Sequence, residues 1–221
     1  MPRSERSRLH LPTAAGGLAR LAAQEVRRAG VDLAPLIRAS GLTPDLIDSG
    51  ERLASEEQIT FVELSARALE RDQLGFELGK AFDLRSIGPL YYVAASSETL
   101  GMALLRVARF SAVGNEAVVI GNDEQDNAFR IRLAYSGVAC HSDRHQIEFF
   151  VATLVRLCRA LSGLLLMPVH ASFCHARSRG TKSYDECPGA KTLPNSGERC
   201  CGAERNPFAS RRSDSRAAAV A

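Results

Sequence analysis

The hydrophobic period of this chain changes three times, and that order limits the folds open to it. Between Leu18 and Phe110 apolar residues recur at three- and four-residue intervals, as on the buried face of a helix. In "EAVVIGND" and "NAFRIRLAYS", Glu116–Asp123 and Asn127–Ser136, the pattern becomes that of strands. Phe129, Ile131 and Leu133 alternate with Arg130 and Arg132, which predicts one buried face and one basic, wet face. The polar segment "NDEQDN" between them reads as a turn. A helical period returns from Asp143 to Leu161, and Gly163 ends it. "MPVHASFCHA" then alternates as a third strand. Helices, a hairpin, a long helix and a strand make an α+β fold: an N-terminal helical segment followed by a small antiparallel sheet packed with helices.

Local signals place the helices. "LARLAAQEVRRAG" puts Leu18, Leu21, Ala22 and Val26 near one face and stops at Gly30. Asp32 is set to cap "DLAPLIRASG", and Thr43 with Pro44 opens "TPDLIDSG". Ser55 and Gln58 form a capping box before a helix carrying Ile59, Val62, Leu64, Ala66 and Leu69 to about Asp72. "LGFELGKAF" is helical again, and Gly88-Pro89 ends that region. Ser97 or Thr99 caps a helix through Ala112, with Leu100, Ala103, Leu104, Val107, Ala108 and Phe110 on a broad apolar face.

Charge and cysteines narrow the function. The net charge of the 221-residue chain is +3. From Arg179 onward eight Lys/Arg face five Asp/Glu, which accounts for the whole surplus. The body is neutral, which argues against a nucleic-acid surface there. Cys140, Cys158, Cys174, Cys187, Cys200 and Cys201 have no disulfide-framework spacing, and no C-x-x-C supports a zinc site with His175. The N-terminus lacks a secretory apolar core, and "GLLLMPV" is too short to cross a membrane, so a cytoplasmic protein is expected. G-x-S-x-G, P-loop and G-x-G-x-x-G signatures are absent, and no cofactor or catalytic residue is expected.

Six residues are candidates for ligand binding: Tyr91, Tyr92, Arg109, Arg130, Arg132 and His145. Adjacent tyrosines point in different directions, so one enters the core and the other offers a pocket an apolar ring with a polar tip. Arg109 lies late in its helix, where a cation suits the dipole. Arg130 and Arg132 share a strand face and suit an anionic effector, although a solvated face explains them more simply. His141 and His145 share a helix face near Asp143 and Glu148. They lack the metalloprotease glutamate, and a surface position at a helix N-terminus explains them without metal. His170 and His175 fit core or edge positions on the third strand. "LIRASGLTPDLI" has the plan of a helix-turn-helix, but Asp45 and Asp48 on its second helix would repel phosphates, so a plain helical corner is expected.

"LGFELGKAFDLRSIGPLYYVAASSETLGMALLRVARF" resembles the N-terminal, effector-sensing domain of a subgroup of AraC-type transcription regulators. Leu74-Gly75, Gly79, Gly88, Ser97, Thr99-Leu100, Ala103-Leu104 and Phe110 carry the resemblance, which the hairpin, the long helix and "VHASFCHAR" extend over roughly residues 18–178. It implies a non-enzymatic sensor and self-association domain that binds a small-molecule effector between sheet and helices. The family label points to arabinose without establishing it for this chain. The expected organisation is a flexible basic tail at 1–15, the sensor domain at 16–178, and a disordered, out-of-frame ending at 179–221 without the family's two helix-turn-helix units. "GAERNPF" is only partly like the family's last strand. The expected partners are a second copy or a full-length regulator, with no specific DNA binding by this chain alone and no membrane. Two rivals are a complete small DNA-binding regulator using the 35–47 corner and a small-ligand enzyme on an α+β sheet.

The helix placement has a direct test. Thr99→Ala should cost ~1 kcal/mol as a lost N-cap, and Leu104→Ala about 2–5 kcal/mol as a truncated core residue. Denaturant titrations should rank them in that order.

Overall fold

A computed structural model of the chain describes residues 11–125, 128–136, 143–168, 171–173 and 190–192. His10, His141, His170, His175, "GAERNPF" and every cysteine except Cys158 lie outside the described residues. The chain enters through a short strand, β1 (Thr13–Ala15), and turns at once into helix α1 (Gly17–Arg28). Leu18, Ala19, Ala22, Ala23 and Val26 are buried along one face of α1, as the helical period requires. Helices α2 (Ala34–Ser40) and α3 (Pro44–Ser49) follow. The Asp32 carboxylate accepts from the Ala34 amide at 3.0 Å. Thr43 accepts from the Leu46 amide, and Gly41 and Gly50 end the two helices in the left-handed region.

Strand β2 (Arg52–Ala54) pairs antiparallel with β1 and leads into α4 (Ser55–Ala68). Here the capping box fails. Ser55 is the first helical residue, fully buried, and its hydroxyl donates to Asn115 Oδ1 at 3.1 Å instead of capping its own helix. A long-range partner has won over a local one. Helix α4 also stops short of Asp72: Glu70 takes a φ of 53°, and the amides of Glu70 and Arg71 close back on Arg67 and Ala66. That turn delivers Arg71 to Glu25 on α1, at 2.7 Å, and to Glu77 on helix α5 (Leu74–Ala81). Hydrogen bonding from Arg71 holds the Glu25 carboxyl below the usual carboxylate range.

After a 3-10 turn at Leu84–Ile87, α6 (Pro89–Ala95) starts where Gly88, at φ 73°, redirects the chain. Thr99 then caps α7 (Leu100–Phe110), accepting from the Met102 amide at 3.2 Å, and Leu104 is buried. Strands β3 (Val118–Gln125) and β4 (Ala128–Tyr135) form the hairpin. Their register runs unbroken from Val118↔Tyr135 to Gln125↔Ala128, so Asn122–Gln125 belong to the ladder and not to a turn. Arg130 and Arg132 lie on its exposed face, and Ile131 and Leu133 are half-buried. The long helix α8 (Arg144–Ser162) ends at Gly163, again left-handed.

Two features depart from the expected plan. The sheet is divided into three separate pairs, β1–β2, β3–β4, and β5 (Ala171–Phe173) with β6 (Ala190–Thr192), and the last pair is parallel. β1 also occupies part of the segment expected to be a loose tail, and β6 lies within the segment expected to be disordered. Neither strand has enough length or alternation to announce itself. Both exist because a partner strand satisfies their backbone groups.

Helix α8 reaches every core cluster. Phe149 joins Leu18, Ala22, Ile47, Phe61 and Leu74 in the first. Leu157 joins Leu90, Ala94, Ala103 and Val107 in the second. Ala152 joins Phe76 and Phe173 in the third. Its closest approach is to α5, at two glycines one turn apart. A Cβ on Gly75 would stand 2.1 Å from the His145 carbonyl oxygen, and one on Gly79 would stand 2.7 Å from the Ala152 Cβ. A Cβ on Gly101, on α7, would meet only Thr99 Oγ1, at an ordinary 4.0 Å.

Gly75→Ala should therefore destabilise the fold by about 3 kcal/mol, at the upper end of overpacking costs, because backbone would have to move. Gly101→Ala should stabilise it by about 0.4–1 kcal/mol by removing freedom from the unfolded chain. Urea midpoints of the two variants should move in opposite directions.

Candidate functional site

Between the first and second clusters lies a partly open cavity of about 320 Å³, within the size range of small-ligand sites. Leu18, Phe82 and Phe149 form one wall; Leu90, Val107 and Leu157 form the other. The hairpin contributes Val118, Ile120 and Leu133. The lining is predominantly apolar, with a few polar side chains set among these groups.

Those polar groups divide by whether their hydrogen-bonding capacity is already used. Asn115 is committed to structure: its Oδ1 accepts from Ser55 Oγ at 3.1 Å and from the Ala117 amide at 2.9 Å, while its Nδ2 donates to the Tyr135 hydroxyl at 3.5 Å. Ser111 donates to the Ala108 carbonyl at 3.1 Å. Gln58 and Thr153 differ. Both are more than nine-tenths buried, and Gln58 Oε1 and Thr153 Oγ1 have no hydrogen-bond partner among the described residues. Gln58 is carried into the cavity by α4, one turn after the pinned Ser55. Thr153 comes from α8, one turn after Phe149. Burying such atoms without a partner costs free energy.

The six residues expected from sequence are not brought together. Tyr91 lines the cavity. Tyr92 points away, 62% exposed, with its ring edge-on to Tyr91. Arg109 is exposed and lies over the Phe110 ring at 5.4 Å. Arg130 and Arg132 reach Asp123, at 3.7 and 3.0 Å, on the opposite strand of the hairpin. His145 is not on the surface but 5% exposed, because the glycine contact draws α8 onto α5 over it. Its Nδ1 accepts from the Gly75 amide at 3.4 Å, and its two ring nitrogens stand 3.6 and 3.4 Å from Glu63 and Glu148. Arg144 holds Glu148 at 3.0 Å. That cluster fastens α4, α5 and α8, and it does not line the cavity.

Among the described residues no group of His, Cys, Asp and Glu is arranged to hold a metal. Burial pushes the Cys158 thiol up to about 11, away from the range of a reactive thiolate. The 35–47 corner is part of the core: Ile37, Leu42 and Ile47 are buried against α1 and α4, and Asp48 pairs with Arg27 at 2.9 Å. No described helix is long and apolar enough to cross a membrane.

The model of the arabinose-binding domain of AraC transcription regulators, the N-terminal part, matches residues 30–196. The chain belongs to this family. No curated protein matches it. The family is one of regulator ligand-binding domains and not an enzyme class, and it assigns the chain a sensing and regulatory role. The match extends past Arg177, where the sequence resemblance was expected to stop, and takes in β6.

Gln58 and Thr153 were missed, and each left a trace. Gln58 was assigned to a local cap. Thr153 is the one polar residue in the apolar stretch "FFVATLV". If Gln58 Oε1 is an unused buried acceptor, Gln58→Met should stabilise the ligand-free protein by about 1 kcal/mol. An unchanged or lowered denaturation midpoint would show that the oxygen has a structural partner.

Proposed function

We propose that this chain is the effector-sensing module of an AraC-type regulator, with the cavity beside α8 as the effector site. The observation that carries this is the partly open cavity itself, about 320 Å³ and predominantly apolar, walled by helices of both the first and second clusters. Tyr91 is the one sequence candidate that belongs to this site. An effector held there touches α1, α6, α7 and α8 together. It shifts the equilibrium between conformations only as far as it binds one better than the other. The module transmits that shift through self-association, with the exposed apolar residues Met102, Leu105 and Phe110 of α7 on the accessible surface.

The neutral charge of residues 1–178 and the burial of Ile37 and Ile47 support a structural role for the 35–47 corner. The described residues are accordingly expected not to recognise duplex DNA in the ~10⁻⁸–10⁻¹¹ M range of specific binders.

Effector screening by thermal unfolding tests the site. A true effector should raise the midpoint saturably by linkage, and Val107→Phe, which fills the cavity, should abolish the rise. Sedimentation over a micromolar concentration series should show self-association, and a concentration-independent monomer would count against the transmission step.

A further inference from the structure

Resting on the cavity as the effector site, we infer that its ligand is an amphipathic monocarboxylate, with its apolar body among the helices and its carboxylate at the Arg20 guanidinium. The wall decides the first half of this. Leu18, Phe82, Leu90, Val107, Phe149 and Leu157 come from four helices and the loop after α5, and they can only reward apolar surface. All but Phe82 are buried, so the apolar part of the site is its interior. A molecule polar all round would lose its water there and find few replacement partners.

Charge decides the second half. Among the described lining residues Arg20 alone carries a formal charge, and no Asp or Glu stands beside it there to repel an anion. Arg20 is exposed, which puts it at the rim and keeps a charged head in reach of water. Its guanidinium lies against Gly50, where a Cβ would stand 2.8 Å from Nη1. One turn earlier on α1, a Cβ on Gly17 would stand 3.5 Å from the Phe82 ring, so the cation adjoins the apolar wall. Arg20 forms no ion pair or side-chain hydrogen bond among the described residues. Arg27, Arg52 and Arg71, on the same helical segment, each pair with a carboxylate. A guanidinium offers parallel N–H groups that match a carboxylate, and a single one balances a single negative charge. The Gln58 amide makes the same demand: its Oε1 is sealed, so what it can offer a molecule is the Nε2 donor, which calls for an acceptor.

N-phenyl-1-naphthylamine, a neutral apolar dye, reports on the site in the purified full chain. Its fluorescence should rise to a saturable one-to-one end point. Decanoate, ionised at neutral pH, and 1-decanol should both displace it, and L-arabinose in large excess should not. Arg20→Gln should weaken decanoate by about fivefold, the upper range of an exposed ion pair, and leave dye and decanol unchanged. Arg20→Lys, which keeps the charge and loses the fork, should fall between. Raised ionic strength should narrow the gap between the native chain and Arg20→Gln. Val107→Phe should weaken dye and both displacers by about tenfold or more, and Leu133→Trp fills the cavity from the hairpin side should Val107→Phe not fold. Equal loss of decanoate and decanol in Arg20→Gln, or no loss of either, would overturn the carboxylate while leaving the site in place. So would displacement by arabinose at lower concentration than decanoate. No saturable dye binding, or dye binding indifferent to the filling variants, would overturn the cavity itself, and the ligand class with it.

Discussion

The contact between α5 and α8 at Gly75 and Gly79 determines where almost everything else lies. With no side chain at either position, the two helices approach until backbone meets backbone, and the Gly75 amide donates to His145. The approach fixes α8 along its length. One turn-set of α8 then enters each cluster, Phe149, Ala152 and Leu157 in turn, so three small cores share one helix. A displacement of α8 at the glycines would be felt in all of them, because packed interiors have little slack.

A second tie joins the helical segment to the hairpin. β1 pairs with β2 on one side, and on the other Ala15 and Thr13 exchange backbone hydrogen bonds with Gly114 and Glu116 at 2.8 and 2.9 Å. Arg52 reaches across to the Val113 carbonyl at 2.7 Å. Asn115 sits at the centre, holding Ser55 at the start of α4 and Tyr135 at the end of β4. Burial raises the Tyr135 phenol well above its ordinary pKa, so it stays a neutral partner throughout the physiological range. The cavity is the space these two ties leave between α8 and the elements they position.

Much of this was legible in the sequence, where the signal was local and repeated. The helical faces of α1, α7 and α8, the hairpin pair, the Thr43 and Thr99 caps and the stop at Gly163 all follow from period and turn chemistry. Gly75 and Gly79 were visible as residues of the family resemblance, but their steric purpose depends on which helix crosses them. The failures have one cause. Ser55, Gln58, His145 and the strands β1 and β6 take their conformations from partners distant in the chain, and a window of ten residues contains no trace of Asn115 beside Ser55. The arginine candidates are a separate matter. Charge pattern identifies a face of a strand, and Asp123 across the ladder was close enough to occupy it.

The cavity combines features that a stability-optimised fold would remove. Two buried polar atoms lack partners, and apolar walls are held apart by ties that do not yield to fill the gap. Leaving them costs a few kcal/mol at most, which matters against the modest total stability of a domain. On the proposed reading that cost is the source of the response. The ligand-free state leaves the apolar walls unfilled, and an effector that brings apolar surface recovers that deficit. The recovered free energy acts on α8 through Phe149, Thr153 and Leu157. Because α8 is clamped to α5 at Gly75 and Gly79, it cannot be absorbed by a local adjustment of one helix. It has to appear as a change in how the first and second clusters sit against each other, which is the kind of displacement an associated partner can sense.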